Sequence, residues 1–170
     1  MMENENSVQA SESQADKPDS PHVYIPPPLI YLTIFLLSIL AQNFFSLNGD
    51  WLKSSVAKIF GWSLIGLFLI VQFFSLCSFI LSKNTVVTIK PASSLQTTGI
   101  YSISRNPMYA GLLLLYSGFG LLIANWWTII FIPVVILIMQ SYVIRREENY
   151  LRRTFGNAYD QYAKKVRRWI

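Results

Sequence analysis

Along the chain, long uncharged stretches rich in Leu, Ile, Val and Phe alternate with shorter polar stretches. No Asp, Glu, Lys or Arg occurs in residues 20–49, 59–82 or 106–144. A helix needs about 20 consecutive apolar residues to cross the hydrocarbon core of a bilayer. We therefore predict that each of these stretches contains at least one membrane-spanning helix.

The third stretch is too long for a single crossing. Its roughly 39 residues would form a helix of about 58 Å, nearly twice the thickness of the hydrocarbon core. Asn125-Trp126-Trp127 is the predicted turn between two helices, because Trp favours the membrane interface and Asn tolerates turn conformations. In lipid, helices satisfy their own backbone hydrogen bonds. The prediction is an all-α integral membrane protein with about four transmembrane helices, at residues 29–47, 58–82, 107–124 and 127–150.

The remaining segments divide into a tail and parts of the membrane domain. Residues 1–28 are a polar N-terminal tail that we predict to be disordered, ending in an extended Pro26-Pro27-Pro28. Residues 29–170 are predicted to form the membrane domain, with a loop at 83–106 and a C-terminal segment at 151–170. In the third span, Gly118, Gly120 and Ala124 form a stripe suited to close helix packing.

The C-terminal segment has the pattern of a short amphipathic helix. We expect the fourth helix to continue past the membrane and to stop near Gly156. Tyr159, Tyr162, Val166 and Trp169 then recur at spacings of three and four residues. Such a face is suited to lie on the membrane interface.

Composition and charge support a membrane protein and indicate its orientation. Hydrophobic residues make up 52% of the chain and charged residues 14%, whereas a soluble domain is about a quarter charged. Most basic residues lie in 145–170, with others in the 83–106 loop. The positive-inside rule then places this loop and both termini in the cytoplasm. The net charge of +5 indicates topology and contact with anionic lipids rather than nucleic-acid binding. The lone Cys77 is expected to be a small hydrophobic residue, and we predict no metal site.

Two polar clusters flank the predicted C-terminal hairpin. Residues 99–109 precede its first helix, and Arg145-Arg146-Glu147-Glu148 follow the membrane portion of its second. Because both ends of a hairpin meet on one side of the membrane, these clusters predict a charged, aromatic pocket at the cytoplasmic surface. Taken singly, each residue has a simpler interpretation. Arg105 can be a topology anchor, Tyr101 and Tyr109 interface aromatics, and the glutamates partners of nearby arginines.

Taken together, the spacing of these residues resembles the isoprenylcysteine carboxyl methyltransferase family and the related phospholipid methyltransferases. The resemblance covers residues 93–170 and follows the order of the family's motifs. These motifs are Gly99-Ile100-Tyr101, Arg105-Asn106-Pro107-Met108-Tyr109, Glu147-Glu148, Phe155-Gly156, Tyr159, Tyr162 and Val166-Arg167-Arg168-Trp169-Ile170. The family often has His where this chain has Asn106, which can form hydrogen bonds but cannot titrate.

The resemblance implies a pocket for S-adenosyl-L-methionine at the cytoplasmic end of the hairpin. Arg145 or Arg146 is the candidate for holding a substrate carboxylate, and Glu148 or Tyr109 is the first candidate for a base if the acceptor is an amine. The candidate cofactor-binding residues are Ser93, Ser94, Leu95, Gln96, Tyr101, Arg105, Asn106, Pro107, Met108, Tyr109 and Glu147.

The expected activity is methyl transfer to a lipophilic or prenylated acceptor that reaches the site from the bilayer. The leading acceptor is a carboxylate of the isoprenylcysteine type. One alternative is N-methylation of a phospholipid ethanolamine head group, since the two groups of enzymes share the C-terminal pattern. Another alternative is a catalytically silent membrane scaffold, which Asn106 keeps open.

Overall fold

The computed structural model describes residues 20–47, 49–81 and 94–169, and these residues form an all-α fold. A 3₁₀ turn at Gly99–Ser102 precedes the C-terminal hairpin, and a π-helical segment at Met139–Ile144 interrupts its second arm. The helices are α1 (Pro27–Phe44), α2 (Asp50–Lys53), α3 (Ser55–Leu81), α4 (Pro107–Leu122), α5 (Trp126–Ile130), α6 (Ile132–Ile138), α7 (Arg145–Phe155) and α8 (Asn157–Lys165). The predicted fold class is therefore confirmed as all-α.

Two of the helices are long and apolar enough to cross a membrane. They are α1, with a mean hydropathy of 1.5, and the Ser55–Ile80 portion of α3, with a mean hydropathy of 2.2. The surface of α3 is strongly apolar, since Phe60, Ile70 and Phe73 are all more than half exposed. Such a surface matches a lipid environment, because soluble proteins rarely expose apolar patches of this extent. At 16 residues, α4 is apolar but shorter than a usual span.

The second arm of the hairpin is segmented, whereas the sequence predicted one helix over 127–150. The break falls at Phe131, which ends α5 and precedes α6. Pro133 explains it, because proline lacks an N–H and its ring clashes with the carbonyl four residues earlier. The extended lead-in is also wrong for Pro27 and Pro28, which form the first turn of α1, where a missing N–H costs nothing.

Small residues allow α3 and α4 to pack closely, as the glycine pattern predicted. A Cβ added at Gly118 would lie 2.9 Å from the carbonyl oxygen of Gly61 and 2.8 Å from Ile65 Cγ1. Two residues later, on the other side of α4, a Cβ at Gly120 would lie 2.5 Å from Thr128 on α5. Ala124 instead lies in the turn after α4, with a φ of 53°. The glycines therefore pack α4 against one neighbour on each side.

Asn125 makes the predicted hairpin turn and also joins it to α1. Its Oδ1 accepts a hydrogen bond from the Trp127 backbone N–H at 2.9 Å, which caps α5. Its Nδ2 donates to the Ser38 carbonyl at 3.1 Å, and the Ser38 and Thr128 hydroxyls lie 2.9 Å apart. All three side chains are buried, so this end of the helix bundle is held by a closed polar network.

We expect Gly118→Ala to destabilise the protein by about 1–3 kcal/mol, because the added methyl group overlaps the Gly61 backbone, which cannot rotate away. Gly66→Ala on α3 is the matched control, since its Cβ would meet no atom within 4 Å. The measurement is the thermal unfolding midpoint of each variant in the same detergent. Equal midpoints for the two variants would contradict close packing at Gly118.

Candidate functional site

The two polar clusters predicted to meet at the mouth of the hairpin do meet. The Tyr109 hydroxyl, on the first turn of α4, donates a hydrogen bond to Glu147 Oε1, on the first turn of α7, at 2.5 Å. The Tyr31 hydroxyl of α1 donates to the Tyr109 carbonyl at 2.9 Å. Three helices therefore converge on Tyr109 and Glu147, and both side chains are half-buried.

Local sequence explains how α4 and α7 present these groups. Pro107 begins α4, where its fixed φ suits a first helical turn, and this places Tyr109 at the helix mouth. On the other arm, the π-helical segment Met139–Ile144 leads directly into α7. A π turn carries one more residue than an α turn, so it changes the face on which the following residues lie. The acidic pair follows this change of register.

Residues 104–106 are bound to residues 167–168, and we call this pairing the C-terminal clasp. The Arg105 N–H donates to the Arg167 carbonyl at 2.9 Å, and Ser104 and Arg167 form an isolated parallel bridge. The Arg168 carbonyl accepts from Ser104 Oγ at 3.2 Å and from Asn106 Nδ2 at 2.9 Å. Asn106 therefore contributes a hydrogen-bond donor here, which an imidazole N–H can also supply.

Glu148 lies at the centre of a buried ionic cluster that reinforces the clasp. Its residue is 4% exposed, and its carboxylate accepts from Arg168 Nε at 2.8 Å and Nη2 at 2.6 Å. Arg105 Nη1 lies 3.1 Å from the same carboxylate and also donates to the Tyr159 hydroxyl at 3.0 Å. The hydrogen bonds that Arg168 donates to Glu148 raise the pKa of its guanidinium above the usual value. Both oxygens of Glu148 are thus bound by guanidinium groups.

The tyrosine face of α8 turns inward, contrary to the prediction that it lies on the membrane. Tyr159 is 1% exposed and contacts Arg105, and the Tyr162 hydroxyl donates to the Tyr101 carbonyl at 2.6 Å. Burial raises the pKa of the Tyr162 phenol above its ordinary value, so the phenol stays a donor. Gly156 does end the preceding helix, with a φ of 51°. The amphipathic face therefore docks α8 onto the 3₁₀ turn.

Some of the loop residues predicted to bind the cofactor lie near the ionic cluster around Glu148. Tyr101 is buried against Phe79, with ring centroids 5.5 Å apart, while Met108 is half-buried at the start of α4. Gln96 donates to Thr98 within the loop at 3.1 Å. Ser94 is exposed and Leu95 half-buried, and Ser93 lies outside the described residues.

The two candidate substrate arginines are exposed at the start of α7. Arg146 Nη1 donates to the His22 carbonyl at 2.8 Å, and its guanidinium lies 4.5 Å from the centre of the Tyr142 ring. Val23, which follows His22 in the chain, is 1% exposed and belongs to the hydrophobic core. This contact was not predicted from the sequence, because the polar composition of residues 1–28 indicated a disordered tail. Residues 1–19 lie outside the described residues.

We expect Glu148→Gln to lower the stability of the protein by on the order of 3 kcal/mol, because it leaves Arg105 without its charged partner in a buried position. The free energy of unfolding in detergent is the measurement. Arg152→Ala is the matched control, since Arg152 pairs with Asp160 at 3.2 Å with both side chains about half exposed. Such surface pairs contribute about 1 kcal/mol or less. A loss no larger than that of the control would show that the Glu148 cluster does not hold the clasp.

Comparison with known proteins connects this site to a family of enzymes. Residues 56–158 match the phospholipid methyltransferase family, and this range includes both Tyr109 and Glu147. An uncharacterized protein of Haemophilus influenzae is 38% identical over 63 residues, which cover 37% of this chain and all of the relative. No solved structure matches the chain.

Two other relatives have named activities. A protein-S-isoprenylcysteine O-methyltransferase of Schizosaccharomyces pombe is 38% identical over 72 residues, 42% of this chain and 30% of the relative. Protein-S-isoprenylcysteine O-methyltransferase B of Arabidopsis thaliana is 36% identical over 72 residues, 42% of this chain and 36% of the relative. The matches cover only about a third of the length of these two enzymes. With more than half of its length matched, this chain belongs to the phospholipid methyltransferase family.

Proposed function

We propose that this protein transfers a methyl group from S-adenosyl-L-methionine to a lipophilic acceptor at the cytoplasmic face of a membrane. The observation that carries the proposal is the contact between Tyr109 and Glu147 at the mouth of the hairpin, in a chain of this family. The leading acceptor is a carboxylate of the isoprenylcysteine type, the acceptor named for two of the relatives.

The residues around Glu147 fit the chemistry of the cofactor. S-adenosyl-L-methionine has a sulfonium, an amine and a carboxylate, so its net charge near neutral pH is positive. The Glu147 carboxylate can accept hydrogen bonds from the amine or the ribose hydroxyls, and Tyr109 holds that carboxylate in place. The Tyr101 and Tyr109 rings offer faces for a cation or a base. Residues 93–96 and 106–108 complete the proposed cofactor-binding surface.

The proposed mechanism needs orientation more than proton transfer. The bound cofactor supplies an activated methyl group, and a carboxylate acceptor has no proton to lose. The protein therefore has to align the acceptor and exclude water. Arg145 or Arg146 would bind the acceptor carboxylate by paired hydrogen bonds. For Arg146, this means exchanging its contact with the His22 carbonyl for one with the substrate.

Glu148 and Arg105 take a different role in this proposal from the one the sequence alone assigned to them. Because both Glu148 oxygens are bound by Arg105 and Arg168, this carboxylate is poorly placed to accept a proton from a substrate. We assign Glu148 and Arg105 as positioning residues that hold the loop before α4 against α7. Asn106 fits the same role through its bond to the Arg168 carbonyl. A non-titrating side chain at position 106 is then compatible with activity.

The second candidate is N-methylation of a phospholipid ethanolamine group. The family match favours it, and so does the hydrogen bond from Tyr109 to Glu147. An amine acceptor must lose a proton, and a tyrosine hydrogen-bonded to a carboxylate can pass that proton on. A catalytically silent scaffold is the remaining alternative.

The proposed topology has four membrane crossings with both termini in the cytoplasm. The two long apolar helices α1 and α3 support the first two crossings. The hairpin of α4 with α5 and α6 supplies the other two, with the basic residues of 145–168 on the cytoplasmic side. This arrangement lets the lipid chain of the acceptor stay in the bilayer while the cofactor binds from water.

Burial raises the pKa of the Glu147 carboxyl to about 7, so the test is made at about pH 8, where the group is charged. We expect Glu147→Ala to weaken binding of S-adenosyl-L-methionine there by at least about tenfold, because it removes a charge-assisted hydrogen bond. The measurement is calorimetric titration of the detergent-purified protein. Asp160→Ala is the matched control, since it removes an exposed carboxylate on α8 and should bind normally. Unchanged affinity in Glu147→Ala would remove the proposed cofactor site.

The acceptor is tested by supplying cofactor with a labelled methyl group and either a farnesylated cysteine or phosphatidylethanolamine vesicles. A carboxyl methyltransferase should form a base-labile methyl ester on the first and leave the second unlabelled. Label on the ethanolamine head group would establish the second candidate instead. A folded protein that binds no cofactor and labels neither would be a scaffold.

A further inference from the structure

A basic cleft lies beside the C-terminal clasp. It has a volume of about 580 Å³ and is lined by residues 163–169 together with Arg105 and Gln140. This lining contains none of the residues proposed to bind the cofactor or the methyl acceptor, and Arg105 is the one positioning residue in it. The cleft is thus largely distinct from the surface around Tyr109 and Glu147, and it lies within the range of ligand-binding cavities.

The charge of the cleft favours an anion. Its lining contains five basic residues and no acidic one among those that the structure describes. Glu148, which contacts Arg105 and Arg168, supplies one negative charge against these five. Lys164, Lys165 and Arg167 are exposed on the rim. A cofactor of net positive charge is disfavoured here, because a cleft of one sign attracts ligands of the other.

Two hydrogen-bond donors in the lining residues have no acceptor. Arg105 Nε and Trp169 Nε1 are both buried, and neither has a partner among the residues that the structure describes. Buried polar groups are nearly always hydrogen-bonded, so unpaired donors call for an explanation. A ligand in the cleft reaches these atoms only if the Arg105 and Trp169 side chains turn toward it, and because both atoms are donors, such a ligand must supply an acceptor. Phosphate oxygens are strong acceptors and suit arginine in particular.

The apolar part of the lining indicates where such a phosphate comes from. Ala163, Val166 and Trp169 contribute to the wall of the cleft. Tryptophan and basic side chains together are typical of the head-group level of a bilayer. We propose that this cleft binds the phosphate of an anionic phospholipid, which packs its glycerol region against Trp169. This inference is independent of the proposed methyl transfer, since it concerns binding without turnover.

The test measures binding of short-chain phosphatidylglycerol to the full-length protein in detergent, by the rise in unfolding temperature as lipid is added. Phosphatidylcholine of the same chain length and inorganic phosphate are titrated in parallel. The variant Lys164→Gln with Arg167→Gln removes two charges from the rim. Lys53→Gln with Lys58→Gln is the matched control. Lys53 ends α2 and Lys58 lies near the start of α3, at the opposite end of that helix from Phe79, which contacts Tyr101.

We expect saturable binding of phosphatidylglycerol that weakens by about tenfold or more in the rim variant and not in the control. Phosphatidylcholine should bind weakly, and S-adenosyl-L-methionine should not compete. Equal losses of affinity in the two variants would show that binding depends only on the overall charge of the protein, and this would overturn the site. Competition by the cofactor would assign the cleft to the cofactor pocket. Inorganic phosphate that binds as tightly as the lipid would overturn the lipid assignment.

Discussion

The buried carboxylate of Glu148 is the group on which the geometry of the site depends. A charge in a poorly solvated position is tolerated only when its partners and hydrogen bonds are complete. Arg105 and Arg168 provide those partners from opposite sides, one from the loop before α4 and one from the segment after α8. Because Glu148 binds both guanidinium groups, it joins α7 to the loop before α4 and to the segment after α8.

The two adjacent glutamates have different surroundings for a simple geometric reason. Successive residues of an α-helix point about 100° apart around the axis. Glu148 consequently lies among arginines, while Glu147 contacts Tyr109 at the hairpin mouth. Of this acidic pair, Glu148 therefore holds chain segments together, whereas Glu147 faces the mouth of the hairpin. The structure thus separates the surroundings of the two members of the pair.

Local signals in the sequence were enough for much of the fold. The uncharged stretches located α1, α3 and α4, and Asn125 and Gly156 marked a turn and a helix end. Pro133 is itself enough to predict a break, because proline cannot continue a helix without losing a hydrogen bond. The prediction of one helix over 127–150 did not take it into account.

The features that were missed depend on contacts between distant residues. The bond between Arg146 and His22 spans 124 residues, and the inward face of α8 depends on Tyr101, 61 residues before Tyr162. Periodicity shows that a helix face is apolar, but it cannot show whether that face meets lipid or protein. The separate roles of Glu147 and Glu148 also depend on partners far away along the chain.

The C-terminal clasp has a consequence for how the protein is made. Ser104 is bound to Arg168, which follows it by 64 residues, so this contact cannot form until the ribosome has released that later segment. By then the hairpin between them has already emerged. Until then Glu148 lacks Arg168, one of its two guanidinium partners. Closure of the site is therefore a late step of biosynthesis, and a stalled chain would carry the earlier helices without an assembled site.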